Sequence, residues 1–422
     1  MTQERPAPED WPAFVAAWLA RADGDRRLLA TGSGTDVAFT LRCGDGVVWI
    51  HLRDGAVADH ALDDGFDRRV DLGLRAPREV WERLWAPVPP PRHQSLFALL
   101  SKVPAFAVEG SREALAQHAH AIARLLELAR EPGGESDATP LPADLSDVAG
   151  RYVRVALSTG AANVFAEQAG AGRDLLLLHT AGSDGRQYQH LLADPELRAS
   201  FRMTAFDLPA HGRSSPPTGV GEGEWRLTTD RYVEAIMAVV DALALERPVV
   251  LGCSMGGQIC LELAYRHPDR FAAAVAVQAA DHVEGRQVAW ARHARVNEKL
   301  FVPEWVDGLM SPTAPRARRA EVRWAYSQSA HGVYWGDIDF YSRDWDARDR
   351  VGAIDTARCP VHILAGEYDY SCTPELARAT AERIPGATFT EMRGLGHFPM
   401  AEDPEGFLTY LRPLLAGFGN PG

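Results

Sequence analysis

Between residues 148 and 422 the chain alternates short apolar runs with longer segments whose apolar residues recur every three or four positions. The runs are "DLLLLHT", "FRMTAFDL", "PVVLGCS", "FAAAVAVQAA", "CPVHILAGEYD" and "ATFTEMRGLGH". Such runs predict strands buried on both faces, the kind found in parallel sheets. The segments "TTDRYVEAIMAVVDALAL", "MGGQICLELAYRHP", "TPELARATAERI" and "DPEGFLTYLRPLL" predict helices that cover those faces. "YVRVALS" and "ANVFAEQ" predict a leading hairpin. Strand and helix in alternation predict an α/β architecture with a mostly parallel sheet. Residues 281–354 break the rhythm. They hold no good strand run and are rich in aromatics, among them Trp290, Trp305, Trp324, Tyr326, Tyr334, Trp335, Phe340, Tyr341 and Trp345. An inserted helical subdomain is the expectation there.

The pattern before residue 131 differs. "WPAFVAAWLARA" has helical spacing. "VAFTLRCGDGVVWIHLRDGAVADHAL" alternates apolar and polar positions around Gly-Asp-Gly and Asp-Gly turns, which predicts antiparallel hairpins. "PREVWERLWAPV" follows, and "LAQHAHAIARLLELAR" predicts a strongly amphipathic closing helix. Residues 131–147, "EPGGESDATPLPADLSD", are rich in Pro, Gly, Ser and Asp without apolar periodicity, and read as a linker. The expected organisation is therefore a small α+β domain over 1–130, a linker over 131–147, and an α/β domain over 148–422 with its insertion at 281–354. The order of elements in the first domain, with "EVWERL", "VPPPRHQSLFAL" and "FAVEGSREAL" in sequence, resembles the sterol-carrier-like fold across most of residues 10–130. That resemblance implies a small apolar tunnel or a packing module, and no chemistry of its own.

Composition narrows the function classes. At 422 residues the chain exceeds one typical core. A net charge of −13, with no run of Lys or Arg, argues against a nucleic-acid partner. The five cysteines are scattered without metal-ligand spacing, so neither a metal site nor a disulfide framework is expected. "MTQERPAPED" lacks the apolar core of a signal peptide, and no apolar run approaches the ~20 residues needed to span a bilayer. The expectation is a cytoplasmic enzyme without a membrane span; a homodimer is left open.

The candidate chemistry centres on "LGCSMGG", residues 251–257. Ser254 has glycine at positions −2 and +2 and lies between a predicted buried strand and a predicted helix. Small neighbours suit a strained, tight turn that lifts the hydroxyl out of a sheet. The following helix would aim its N-terminus and the Met255 N–H at an oxyanion formed there. A serine nucleophile needs a base, and the base needs an orienting acid. Asp369 in "ILAGEYDYSCTPE" falls just past a strand, and His397 in "RGLGHFPMAEDPEGF" falls between the last strand and last helix. Asp281, at the end of "FAAAVAVQAAD", is a rival for the acid, and Glu367 falls two residues early. Ser183 and Arg186 could meet a substrate carboxylate or keto oxygen; the plainer roles are a helix N-cap and a solvated surface cation.

With these residues in the order Ser254, Asp369, His397, the region 148–422 resembles an α/β-hydrolase with a cap. "GCSMGG", "GEYDYSCTPE", "GLGHFPMAEDP" and "FDLPAHGRS" carry the likeness. It implies that Asp207, His211, Gly212 and Ser214 are structural, so that His211 is not the base. It places the second oxyanion donor after "LLLLH", at Ala181. Most members have His-Gly there, whereas this chain has His179-Thr180-Ala181. It also implies that the 281–354 insertion is the cap. The expected activity is that of a serine hydrolase acting, without metal or organic cofactor, on a small hydrophobic or aromatic ester, thioester or lactone. Carbon–carbon bond hydrolysis of a vinylogous diketone would use the same triad. A lipid- or polyketide-binding protein with a degenerate hydrolase domain is the reading from another class.

Overall fold

A computed structural model describes residues 10–130 and 142–418, so residues 131–141 of the expected linker lie outside the described residues. The chain divides into two compact units, one of Met1–Ser136 with Val288–Thr313, the other of Asp137–Gln287 with Ala314–Gly422.

The first unit opens with α1 (Trp11–Ala22) and α2 (Arg26–Thr31), whose N-cap aspartates, Asp10 and Asp25, accept backbone N–H groups that the helix itself cannot satisfy. The hairpins follow as β1 (Asp36–Cys43), β2 (Gly46–Arg53) and β3 (Ala56–Ala61), turning at Gly44 and at Asp54-Gly55, all with positive φ. β4 (Leu72–Ala76) runs parallel to β1 and antiparallel to β5 (Ala107–Gly110), giving the sheet order β3-β2-β1-β4-β5. Helices α3 (Arg78–Trp85), α4 (Leu96–Lys102) and α5 (Arg112–Glu127) complete the unit. Its interior is aromatic. Trp18, Trp81, Phe39 and Phe97 are fully buried, and the indole N–H groups of Trp18 and Trp81 donate to the carbonyls of Leu125 and Arg42.

The second unit begins with the antiparallel pair β6 (Ala149–Leu157) and β7 (Gly160–Ala169). Next come β8 (Arg173–Leu178), α6 (Gln189–Leu192), α7 (Pro195–Ser200), β9 (Phe201–Phe206), α8 (Thr229–Ala242), β10 (Val249–Cys253), α9 (Met255–Arg266) and β11 (Ala273–Val277). The sheet order is β13-β12-β11-β10-β8-β9-β7-β6, where β12 is Val361–Gly366 and β13 is Thr388–Met392. The six strands from β13 to β9 are parallel, and only β7 runs against them, antiparallel to both β9 and β6. β10 and β11 are buried at every position, as their unbroken apolar sequence requires.

The segment expected as a single inserted subdomain is divided between the units. Helix α10 (Glu298–Asp307) belongs to the first, where it packs on α5; α11 (Arg316–Ser327) and α12 (Val333–Asp339) belong to the second. The reason lies in the residues of α10. Trp305 stacks on Phe97 at 4.9 Å and Phe301 meets the same ring edge-on at 5.7 Å, while Glu304 and Asp307 pair with Arg27 of α2. Thus Trp290, Phe301 and Trp305 pack on one another within the first unit. The chain ends with α13 (Pro374–Arg383), α14 (Pro399–Glu402) and α15 (Pro404–Ala416), each with proline in its first turn, where the missing N–H costs no helical bond.

Candidate active site

Ser254 stands at the junction of β10 and α9 with φ 60° and ψ −118°, a conformation that costs a non-glycine residue energy. Its neighbours make the turn feasible. A Cβ on Gly252 would overlap the Gly256 carbonyl, and one on Gly256 would overlap the Leu178 carbonyl. The Ser254 N–H donates to the Val277 carbonyl at 2.9 Å, which pins the turn to β11. Gly252→Ala should therefore lower unfolding free energy by about 1–3 kcal/mol, as overpacking does. Urea denaturation followed by tryptophan fluorescence measures this, and a wild-type midpoint would contradict the steric account.

Asp369 follows β12 and His397 follows β13, so both lie beyond the carboxyl ends of parallel strands, where open α/β sheets bind ligands. His397 Nδ1 lies 2.6 Å from Asp369 Oδ2. The other carboxylate oxygen accepts the N–H groups of Ser371 at 2.7 Å and Cys372 at 3.1 Å, so Asp369 is held from both sides. The Cys253 thiol donates to the His397 carbonyl at 3.2 Å, which brings the histidine loop to the residue preceding Ser254. All three residues are nearly inaccessible, at 4%, 2% and 3% exposure for Ser254, Asp369 and His397. Asp281 is engaged elsewhere, in an ion pair at 2.6 Å with Arg383. Glu367 accepts the Gly394 N–H.

The loop after β8 is braced from several directions. Gln187 Oε1 accepts both the N–H and the hydroxyl of Thr180, each at 3.0 Å. The Tyr326 hydroxyl lies 2.6 Å from the same threonine Oγ1. Thr180, at the position where glycine is the expectation, is therefore a bonded element of the loop. The Gly182 N–H donates to Asp337 Oδ2 at 2.7 Å and the Ser183 N–H to the Thr180 carbonyl at 3.3 Å. Among the hydrogen bonds of the described residues, none uses the N–H of Ala181 or of Met255. These are the two groups expected from sequence as oxyanion donors.

Ser183 and Arg186 are placed differently from one another. Ser183 is buried, and its hydroxyl has no hydrogen-bond partner among the described residues; the N-cap of the short turn Gly185–Tyr188 is Asp184 instead. Arg186 is held by Asp184 at 2.6 Å and by Gln328 at 2.9 Å, and lies over the Trp324 ring. Its hydrogen bond to Asp184 keeps the guanidinium firmly charged, so Arg186 is not a free surface cation.

A chain of aromatic rings leads away from His397. Phe398 meets its ring edge-on at 4.9 Å, Tyr326 meets Phe398 at 5.6 Å, and Tyr334 meets Tyr326 at 6.3 Å. Burial drives the Tyr326 phenol well above its usual pKa, so it acts as a neutral hydrogen-bonding group. Sequence reasoning does not single out Gln187 or Asp337. An amide or carboxylate within a polar loop or a cap helix carries no spacing signal of its own.

The family model described as alpha/beta hydrolase family matches residues 175–409, more than half of the chain. A protein of Mycobacterium phage D29 named as a candidate non-heme haloperoxidase is 36% identical over 246 residues, covering 56% of this chain and 85% of that protein. A pimeloyl-(acyl-carrier protein) methyl ester esterase of Chromobacterium violaceum is 27% identical over 266 residues, covering 59% of this chain and 96% of its own. The structure of a thermophilic esterase from Thermogutta terrifontis aligns with a TM-score of 0.55 at 21% identity, over 64% of this chain and all of that one. The chain belongs to the alpha/beta hydrolase family, and it is an enzyme, a hydrolase.

Proposed function

We propose that the protein is a serine hydrolase of carboxylic esters, thioesters or lactones, with Ser254, His397 and Asp369 as its triad. The observation that carries this reading is the 2.6 Å bond between His397 Nδ1 and Asp369, on loops that follow β13 and β12 at the same end of the sheet as the strained Ser254 turn. In this reading Asp369 accepts the Nδ1 proton and leaves Nε2 as the base. Ser254 Oγ attacks the carbonyl carbon and its proton passes to His397. The N–H groups of Met255 and Ala181 stabilise the oxyanion. Collapse expels the alcohol, thiol or enol with that proton. Water, deprotonated by His397, then cleaves the acyl-enzyme, releasing the acid and restoring Ser254. No step requires a metal or organic cofactor. Phe398, Tyr326 and Tyr334 favour an apolar or aromatic substrate, as in most small-molecule sites. The ester cleavage in the name of the Chromobacterium relative supports the bond type, without fixing the substrate.

Intact-mass analysis after a fluorophosphonate tests the reading. One adduct on the wild type, absent from Ser254→Ala, is expected. No adduct on folded wild type with either a bulky or a small probe would overturn it and favour the binding-protein reading. Aromatic esters, lactones and vinylogous diketones would then be screened on the labelling enzyme, and turnover of only the diketones would move the assignment to carbon–carbon cleavage. The sterol-carrier-like reading of residues 10–130 gains support from the mixed sheet with its covering helices. Lipid extracted from the purified full chain would support a tunnel, and its absence would leave the packing role.

A further inference from the structure

Asp337 lies toward the far end of α12, well outside the triad in sequence, yet its carboxylate is fully buried. A buried carboxylate is costly unless its oxygens are satisfied. Here they are. Oδ1 accepts the Trp225 indole N–H at 2.8 Å. Oδ2 accepts the Gly182 N–H at 2.7 Å and faces His211 Nε2 at 2.7 Å. The other nitrogen of His211, Nδ1, faces the Pro209 carbonyl at 3.0 Å, which can only accept. With an acceptor at each ring nitrogen, His211 is satisfied as an imidazolium, and Asp337 is its counter-ion. The neighbouring His179 is different: its Nε2 accepts the Leu208 N–H at 3.1 Å, so its Nδ1 carries the proton toward the Thr180 carbonyl and the ring is neutral.

Gly182 is the point of contact between this ion pair and the oxyanion loop. It has φ +68°, and a Cβ there would lie 2.7 Å from the Tyr334 ring and 3.1 Å from its Cα. Only glycine allows α12 so close, and Asp337 then fixes the Gly182 N–H. The next residue back is Ala181. We propose that Asp337, paired with His211, is a positioning residue that fixes the Gly182 N–H and, through the Ala181 backbone, the preceding Thr180–Ala181 peptide whose N–H is the oxyanion donor. This rests on the reading of Ser254 as the nucleophile.

The charges around His211 set the direction of its pH response. Burial by itself lowers its pKa; Asp337, by charge and hydrogen bond, outweighs that and the net shift is upward, with Asp184 adding to it. His179 opposes, its ring centroid 5.0 Å away. Asp184 and Asp207, which also lie near, are themselves neutralised by Arg186 and Arg213. A raised pKa means that the charged clamp is complete at lower pH and is lost as pH rises through the folded value.

The test uses the full-length enzyme, an aromatic ester on which wild type is active, and rates normalised to fluorophosphonate-labelled Ser254. Asp337→Asn should lower kcat about 10- to 100-fold with KM within about threefold, less than the roughly 10²- to 10³-fold loss on removing an oxyanion donor outright. Wild-type kcat should fall as pH rises through the folded His211 value, which lies above the ordinary histidine range. His211→Gln, which can still donate to Asp337 but does not titrate there, should fold, label, and lack that alkaline fall. Asp337→Asn with kcat within about twofold of wild type would overturn the proposal. So would an alkaline limb unchanged in His211→Gln, or one missing from wild type. If Asp337→Asn does not fold, the His211→Gln profile decides alone. A wild type that neither labels nor turns over an ester would instead sink the serine-hydrolase reading.

Discussion

Asp369→Asn is expected to lower kcat about 10⁴-fold with KM little changed, because the asparagine amide would hold His397 in the wrong tautomer. Ser254→Ala should remove at least as much, leaving only what substrate binding and the oxyanion donors supply. The informative comparison is Asp281→Asn. Asp281 ends the segment after β11 and is as buried as Asp369, so sequence position and burial do not separate the two. Their partners do. Asp369 faces His397 Nδ1, whereas Asp281 faces Arg383, and its backbone N–H donates to the Thr380 hydroxyl. Burial raises the Asp281 pKa against the pull of Arg383, so this carboxyl is already less committed to its charge. Its amide should leave kcat within about threefold. Steady-state kinetics on the three variants, each shown to be folded by circular dichroism, measure this. A large kcat loss in Asp281→Asn with an active Asp369→Asn would exchange their roles.

Much of the fold can be read directly from the amino-acid sequence. Buried parallel strands announce themselves as unbroken apolar runs, and "PVVLGCS" and "FAAAVAVQAA" are β10 and β11 at nearly the expected positions. The tight turn at Ser254 is legible because steric need forces small residues at fixed offsets, and Gly252 and Gly256 do meet backbone carbonyls. The hairpins of the first unit are legible through Gly44 and Gly55, each with positive φ. What stays hidden depends on contacts between residues far apart in the chain. Asp337 acts on Gly182 across 155 positions, and Tyr326 on Thr180 across 146. Ser183 illustrates the reverse error: a serine before a helical turn reads as an N-cap, but Asp184, one residue on, has that role. The division of the 281–354 segment is hidden for the same reason. Periodicity shows that α10 has an apolar face and cannot show which core receives it.

Trp305→Ala tests that last point and should strongly destabilise the first unit. Trp305 is 4% exposed, stacks on Phe97 at 4.9 Å and packs on Phe301 at 5.4 Å. Removing a buried tryptophan forfeits its transfer free energy and leaves a cavity, together about 3–5 kcal/mol. That is a large share of the roughly 5–15 kcal/mol that holds a domain together. Because residues 288–313 belong to the first unit although they lie within the sequence of the second, a fragment starting at residue 148 would carry α10 without α4 and α5. Its Phe301 and Trp305 would then be exposed, an apolar surface of the kind that drives aggregation. We expect Trp305→Ala to unfold at lower urea than wild type at the same protein concentration, and the 148–422 fragment to be insoluble. A soluble, monomeric and fully active fragment would show that α10 can do without the first unit, and that this unit is an appendage rather than part of the enzyme's folding.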